Sequence, residues 1–487
     1  MAEFQVPLII RGKVIEAYDV EFGGRGGATS FTTPSAYKYA NDLVLSRPSA
    51  MSDLYAISFV DILDYLEELG ARLQLDKNDY MQQALEMSIR TSGLSEAILR
   101  NCYTTIHRLF DRNLLTEIAD RTIGIDHLEG WVDQSLGNAG GASIRAFGAR
   151  AIHITAGNVP EIAAVTITRN AITRSDAIIK TPSNDPMTAA AIARTMIDMA
   201  PDHPITRHIS VAYWKGGDEA LEERLYRPAN IEKIIAWGGV ASIRHISGYL
   251  QPGIDLITLD PKLSSTIIGR EAFVDDATMR DVATLAALDV GVFNQEGCVN
   301  ARVIYAQCGT DDAGLNKANR FGEMVMEQLR ALPPRLSGPA VRPDPKLADE
   351  VNALRMTSDW HRIFGGGADG GVIVSQIDEP VDFAPMLNNR VANIVPIDDI
   401  EIPVRAVTNY TQTIGIYPEN LKKKLRDRLS LHGAQRIVSL GGAALVVHSG
   451  PQDGIEPMRR MCRWIMEETR EKTYIKEVIA ASAEKWP

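Results

Sequence analysis

Ala149-Arg150-Ala151-Ile152-His153-Ile154-Thr155-Ala156-Gly157-Asn158-Val159-Pro160 is a short apolar run that breaks into a turn bearing glycine and proline. It opens a series. Residues 151–155, 177–180, 209–214, 233–237 and 254–259 read as strands, and helical stretches begin near Pro160, Met187, Asp218 and Val240. Strands this apolar, alternating with helices, predict parallel βαβ units covered by helices on both faces, so the fold class is α/β. Upstream lies an apolar stretch, 6–15, broken by Gly12. Beyond it, Ile57, Val60, Leu63, Leu66 and Leu69 keep a helical spacing behind a cap at Ser52 or Asp53, with Gly70 as the stop. Further helices fill 80–123. A helical N-terminal layer therefore precedes the α/β region.

The chain has 487 residues, 45% apolar and 23% charged, which is enough for two or three domains with large cores. Its net charge of −11 and pI near 5.4 argue against a general nucleic-acid binder, which needs a basic stripe. The four cysteines, Cys102, Cys298, Cys308 and Cys462, form no CxxC pair and have no histidines at zinc spacing. Neither a disulfide framework nor a metal site is expected. Met1-Ala2-Glu3-Phe4-Gln5 carries no positive n-region, and no apolar run approaches the roughly eighteen residues of a membrane span. The expectation is a cytoplasmic protein with reduced thiols.

Within Phe293-Asn294-Gln295-Glu296-Gly297-Cys298, a single thiol closes a glycine-bearing turn between an apolar helical stretch and the strand-like 301–306. A free cysteine is most often a small buried hydrophobe. A thiol in a loop held by rigid neighbours is also where nucleophiles sit, and a nucleophile needs its pKa lowered toward neutrality. GxGxxG is absent. In its place, Gly238-Gly239-Val240-Ala241-Ser242 follows a strand and opens a helix, where small residues admit a pyrophosphate to the helix N-terminus. The glycine-rich 365–371 lacks the lysine and serine of a P-loop and reads as a flexible turn. His153 is expected in the core and His245 toward solvent or a partner.

These motifs resemble the aldehyde dehydrogenase superfamily. Asn294 and Gln295 precede Cys298 as the superfamily's Asn-Gln precedes its nucleophile. Lys180-Thr181-Pro182-Ser183-Asn184-Asp185-Pro186 is similar to its Lys-Pro-Ser-Glu ribose turn, and Gly157-Asn158-Val159-Pro160 to its Trp-Asn-Phe-Pro segment. The superfamily's Glu-Leu-Gly-Gly-Lys, whose glutamate activates the hydrolytic water, is replaced by Thr258-Leu259-Asp260-Pro261-Lys262. Threonine cannot serve as a general base near neutral pH, which favours a thiol over water as acyl acceptor. Glu296 is a poor substitute base. Within the superfamily, Pro261-Lys262-Leu263-Ser264, the run from Val6 to Lys13, Asp453-Gly454-Ile455-Glu456-Pro457 and Arg463-Trp464 resemble the acyl-CoA reductase family typified by the fatty acid reductase subunit of bacterial luminescence.

The resemblance implies an aldehyde dehydrogenase-like fold, with a helical layer and Rossmann-like cofactor domain over 1–272, a catalytic domain over 273–440, and a C-terminal segment, 441–487, packing back on the fold or on a partner. It implies reduction of an acyl-CoA or other acyl thioester to an aldehyde through an acyl-cysteine. Cys298 is then the nucleophile and Asn158 the oxyanion donor, with Lys180, Ser183, Gly238 and Gly239 at the cofactor. Asn184 in place of glutamate favours NADPH, because a carboxylate would repel a 2′-phosphate, while Asp185 keeps NADH open. The same residues allow a CoA-acylating dehydrogenase running oxidatively, or an acyl-accepting subunit served by an acyl-transferase or acyl-protein synthetase. A homo-oligomer is implied as well. No equivalent of the superfamily's nicotinamide-ribose glutamate stands out near Asn388-Asn389-Arg390-Val391.

Overall fold

A computed structural model describes residues 4–23, 29–135, 140–259, 262–356, 359–470 and 472–483. Asp260 and Pro261, part of the motif read above, lie outside the described residues. Two seven-stranded sheets organise the chain. In the first, the strands run Asp255–Leu259, Lys233–Trp237, Arg150–Ile154, Asp176–Lys180, Ile209–Ala212, Leu8–Ile10 and Lys13–Ile15. The first five are mutually parallel. In chain order each is joined to the next through helix, as the alternating apolar runs require, and Arg150–Ile154 and Ile209–Ala212 are buried along their whole length.

Residues 6–15 do not simply precede the helical layer. Arg11 and Gly12, at φ 49° and 81°, close a hairpin whose two strands extend the edge of the first sheet in antiparallel register. The helix over Phe59–Arg72 also departs from expectation at both ends. Its cap is Ser58, whose side chain accepts from the Asp61 amide in a capping box, whereas Ser52 and Asp53 lie in the 3-10 segment Pro48–Tyr55. Gly70 does not stop the helix but lies within it, because a Cβ there would come within 2.6 Å of the Phe110 Cβ. Close approach of two backbones fixed that glycine, not a helix end. Leu66, Leu69, Met81, Leu99 and Ile106 join Ile167, Ala190 and Ile192 in one core, which welds the helical layer to the first sheet.

The second sheet runs His361–Gly365, Gly371–Ser375, Val391–Pro396, Ala301–Ala306, Leu263–Ile268, Thr411–Tyr417 and Arg436–Ser439. All neighbours are parallel except His361–Gly365 with Gly371–Ser375, an antiparallel pair whose connection is the glycine-rich stretch. Four of those glycines adopt positive φ, so the stretch is a hairpin turn. Leu263–Ile268 belongs to this sheet although a division at 272 leaves it with the first part. Helices Asp276–Gly291 and Asp312–Ala331 pack on it through Ala283, Ala286, Ala287, Phe321 and Val325. Arg463–Thr469 returns to pair with Gly141–Phe147, which also pairs with Val132–Ser135.

Strand order reverses in each sheet. In the first, the chain passes from Arg150–Ile154 outward on one side and then resumes at Lys233–Trp237 on the other, leaving a crevice at their carboxyl ends. The amino ends of Ala301–Ala306, Leu263–Ile268 and Thr411–Tyr417 face that crevice, and Cys298 precedes the first of these strands by three residues.

Candidate active site

The turn that carries the thiol is strained. Phe293, Asn294 and Gln295 are consecutive left-handed residues, at φ 54°, 51° and 67°. Such residues cost about 1–3 kcal/mol each and persist only where their surroundings enforce them. The enforcement comes from the motif itself. Gln295 Nε2 donates to the carbonyls of Ala301 and Val391, both at 2.9 Å, and its Oε1 accepts from the Val391 amide. Asn294 Oδ1 accepts from the Gly338 amide at 2.9 Å. Asn300 Oδ1 accepts from the Gly297 amide, while its Nδ2 donates to Asp289 and Val292 carbonyls. Asn294 and Gln295 therefore build the turn rather than touch the chemistry.

Ser264 Oγ donates to the Cys298 carbonyl at 2.6 Å and accepts from the Thr413 amide, tying the turn to two strands. Gln412 Nε2 donates to Cys298 Sγ at 3.1 Å. Contrary to the expectation of a lowered pKa, burial pushes the thiol up, and the nearby Asp453 carboxylate adds to that. The Gln412 hydrogen bond and the Arg302 guanidinium oppose it without prevailing. Arg302 is itself held below its ordinary pKa by burial, with Nε and Nη1 buried and lacking hydrogen-bond partners.

Asn158 lies in the loop after Arg150–Ile154, just before helix Glu161–Ile172. Its Nδ2 donates to the Glu296 carbonyl at 3.3 Å, two residues from the thiol, and its Oδ1 is buried without a partner. The next loop braces this one: Asn184 Nδ2 donates to the Gly157 carbonyl at 2.7 Å. A Cβ on Gly157 would lie 2.3 Å from Asn184 Oδ1, so only glycine allows the approach.

Lys180 ends its strand with Nζ 5.8 Å from the Tyr213 ring centre and 5.9 Å from that of Trp214. Burial lowers its pKa to about 8 against the pull of Glu222. Ser183 hydrogen-bonds Tyr213. Asp185 does not face the same way: it is buried, accepts from the Thr188 amide at 3.3 Å, and is pushed up to about 6 by desolvation. Gly238 and Gly239 lead into helix Val240–Ser247, and a Cβ on Gly239 would meet nothing within 4 Å. Open ground before a helix N-terminus, with a cation and a hydroxyl across the intervening strand Arg150–Ile154, supplies groups that suit the phosphates and ribose of a dinucleotide. Thr258 lies on Asp255–Leu259 and brings no carboxylate. His153 is core, as expected, and burial holds it neutral with its pKa near 3. His245 differs: its Nε2 lies 2.6 Å from the buried Glu222 Oε2, which pins the helix after Gly239. No cluster able to hold a metal ion occurs among the described residues.

The structure thus brings Asn158 and Cys298 into one place, with Lys180, Ser183, Gly238 and Gly239 on neighbouring strand ends. Sequence reasoning missed Gln412, Arg302 and the chemical relevance of Asp453. Nothing local marks them. Arg302 follows the thiol by four residues, on the strand Ala301–Ala306, while Gln412 and Asp453 reach it only because a second strand and a distant turn converge there.

Solved structures with this architecture include aldehyde dehydrogenase 21 from Physcomitrella patens in complex with succinate (TM-score 0.73, 14% identity, 96% of this chain and 99% of that one). NADP-dependent glyceraldehyde-3-phosphate dehydrogenase from Bacillus halodurans complexed with NADP is another (TM-score 0.71, 13% identity, 96% and 100%). The fold is that of the aldehyde dehydrogenases. The profile of the acyl-CoA reductase (LuxC) family matches residues 54–464, and the chain belongs to that family. Relatives include the long-chain acyl-protein thioester reductases of Photorhabdus laumondii (28% identical over 435 residues, 87% of this chain and 85% of that protein) and Vibrio harveyi (26% over 475 residues, 96% and 94%).

Proposed function

We propose that this protein reduces an acyl thioester, an acyl-CoA or acyl-protein, to the aldehyde with NADPH, and that Cys298 carries the acyl group between two half-reactions. The observation that carries the reading is the pairing across the crevice: a thiol on one sheet and the Asn158 amide from the other, joined at Glu296. In the first half-reaction Cys298 Sγ attacks the carbonyl carbon, the carrier sulfur departs as a thiol, and the acyl group stays on cysteine. Asn158 Nδ2 leaves its long bond to Glu296 for the developing oxyanion, a donor worth roughly 3–4 kcal/mol in comparable sites. When bound, the reduced dinucleotide supplies the hydride for the second half-reaction. Lys180 and Ser183 hold its ribose, and the amides after Gly238 and Gly239 its phosphates. Collapse of the tetrahedral species on Cys298 frees the aldehyde and returns the thiol.

NADPH is favoured because, among the described residues of the Lys180 turn, Asn184 bonds to Gly157 and Asp185 points into the core, leaving no carboxylate to repel a 2′-phosphate. Thr258 supports reduction over hydrolysis, since the strand position from which the superfamily's glutamate activates water carries no carboxylate here. Names of the relatives support a long acyl chain delivered on a protein, and we assign its supply to an acyl-transferase or acyl-protein synthetase. We assign the first part of the chain, up to the link between Leu259 and Leu263, to the cofactor and the part from there to 440 to catalysis. The C-terminal part supports both, in a cytoplasmic homo-oligomer. Purified protein with NADPH and a panel of acyl-CoAs is expected to lose nicotinamide absorbance and release a trappable aldehyde. A bound cofactor with no turnover on any thioester would defeat the assignment.

A further inference from the structure

Acyl transfer to a protonated thiol has a proton problem. The Cys298 proton must leave sulfur before the C–S bond forms, and the carrier sulfur must gain one as its own C–S bond breaks. No net proton is exchanged, so one group that accepts and then returns a proton satisfies both demands. The charged groups acting on the sulfur are Arg302 from strand Ala301–Ala306, Arg436 from strand Arg436–Ser439, and Asp453. Glu296, on the turn itself, acts on Arg302. Guanidinium groups stay charged and cannot act as bases. Asp453 can.

Its placement is built. Gln412 Nε2 lies 3.1 Å from Cys298 Sγ and 2.5 Å from Asp453 Oδ1, so one amide nitrogen holds sulfur and carboxylate on either side. Gln412 is 5% exposed, which fixes that bridge in the core. Asp453 and Gly454, at φ 52° and 74°, form the two central residues of a hairpin turn closed by reciprocal bonds between Gln452 and Ile455. Asp-Gly is the preferred pair for this turn, which gives the carboxylate a rigid mount. Arg169, from helix Glu161–Ile172, donates to Gln452 Oε1 at 3.0 Å, and its charge faces Asp453.

We propose that Asp453, steadied by Gln412, takes the proton from the Cys298 thiol and hands it to the departing carrier sulfur, directly or through one water. In the second half-reaction the same carboxylic acid protonates the Cys298 thiolate released with the aldehyde, using the proton that the overall reduction consumes. This role rests on the acyl-cysteine reading above. It also explains how a thiol held above its ordinary pKa loads: the carboxylate that disfavours thiolate at rest is the base that accepts its proton.

The test compares three reactions of the full chain at neutral pH: alkylation of Cys298 by iodoacetamide, acylation by an acyl-CoA, and acylation by an aryl thioester with the same acyl group. Iodide and an aryl thiolate are weak bases that leave unprotonated, whereas the more basic alkyl thiolate of CoA leaves faster when an acid protonates it. Asp453→Asn keeps an acceptor for Gln412 but removes charge and base. It is expected to slow all three at neutral pH, alkylation and aryl transfer through loss of the base and acyl-CoA transfer most, about 100-fold, through loss of base and acid together, and to regain the alkylation rate as pH rises and the thiol ionises unaided. Asp453→Glu is expected to recover part of the acyl-CoA rate. An equal fall in all three rates that persists at high pH, with cofactor binding intact, would assign Asp453 a structural role and overturn the inference. So would an unchanged acyl-CoA rate. If wild-type Cys298 alkylates but accepts no acyl group from any thioester, the function itself is wrong, which these outcomes distinguish.

Discussion

The side-chain amide of Asn158, carried at the carboxyl end of one sheet, donates to the carbonyl oxygen of Glu296 at the amino end of the other, at 3.3 Å. The bond is near the outer limit for an N–H donor and accordingly weak. It holds the amide beside the thiol without committing it there. Asn158→Ala is expected to lower kcat about 100- to 1,000-fold, as for other oxyanion donors. Stability should change by no more than about 1 kcal/mol, the worth of one such bond. Steady-state kinetics beside urea unfolding check both halves.

Cys298→Ala should abolish covalent acylation, read as the absence of an acyl mass increment on the intact chain. The other thiols are held further above their ordinary range than Cys298 and lie outside the turn that Asn158 contacts. Burial pushes Cys308 and Cys462 up to about 12 and Cys102 higher still. Turnover persisting in this variant would refute the covalent route.

Lys180, with a pKa lowered to about 8, loses its charge as pH rises through that value. If its ammonium holds the dinucleotide, affinity for NADPH weakens across pH 7 to 9, and Lys180→Met abolishes the dependence while binding more weakly throughout. The linkage to folding has a defined sign. An unfolded lysine keeps its proton to about 10.4, so between about 8 and 10.4 the unfolded chain binds more protons and this residue's contribution to stability rises with pH. Titrating cofactor fluorescence at several pH values checks the first statement.

Asp185 and Asp289 are buried carboxyls, each raised to about 6 by desolvation. Their folded forms bind protons that the unfolded chain releases near pH 4. Their contribution to stability is therefore full below pH 4, falls as pH rises to about 6, and stays low above it. The loss is about 3 kcal/mol at most for each. Asp185→Asn should raise the urea midpoint at pH 7.5 more than at pH 4.5, unless the amide's extra donor goes unsatisfied, in which case the midpoint drops at both.

Gly157→Ala forces a Cβ to within 2.3 Å of Asn184 Oδ1 and 2.8 Å of Pro182 Cγ. The Lys180 turn must move. Overpacking of this kind costs about 1–3 kcal/mol. Weaker NADPH binding together with a lower unfolding midpoint is expected, and a lower midpoint with unchanged cofactor affinity would separate the turn from the cofactor.

The five parallel strands of the first sheet were legible in the chain, because strands buried on both faces must be apolar throughout and their ends must break at glycine, proline or a polar turn. Lys233–Trp237 matches its predicted bounds. Gly70 misled for a physical reason: glycine marks both helix ends and close backbone approaches, and only the position of Phe110 tells which applies. Residues 6–15 misled in another way. A short apolar run cannot state which sheet edge it will join.

Sequence alone determined the α/β class, the strand-end turns and the one thiol set in a polar turn, since each is written in neighbouring residues through periodicity and backbone preference. Tertiary structure decided the rest. Asn294 and Gln295 became scaffold because their partners, Gly338 and Val391, lie 44 and 96 residues onward. Gln412 and Asp453 came to the sulfur from 114 residues away and beyond, through strand pairing and a hairpin turn. Contacts over such separations depend on sheet order and register, which no local pattern encodes, so the electrostatics of Cys298 are a property of the folded chain.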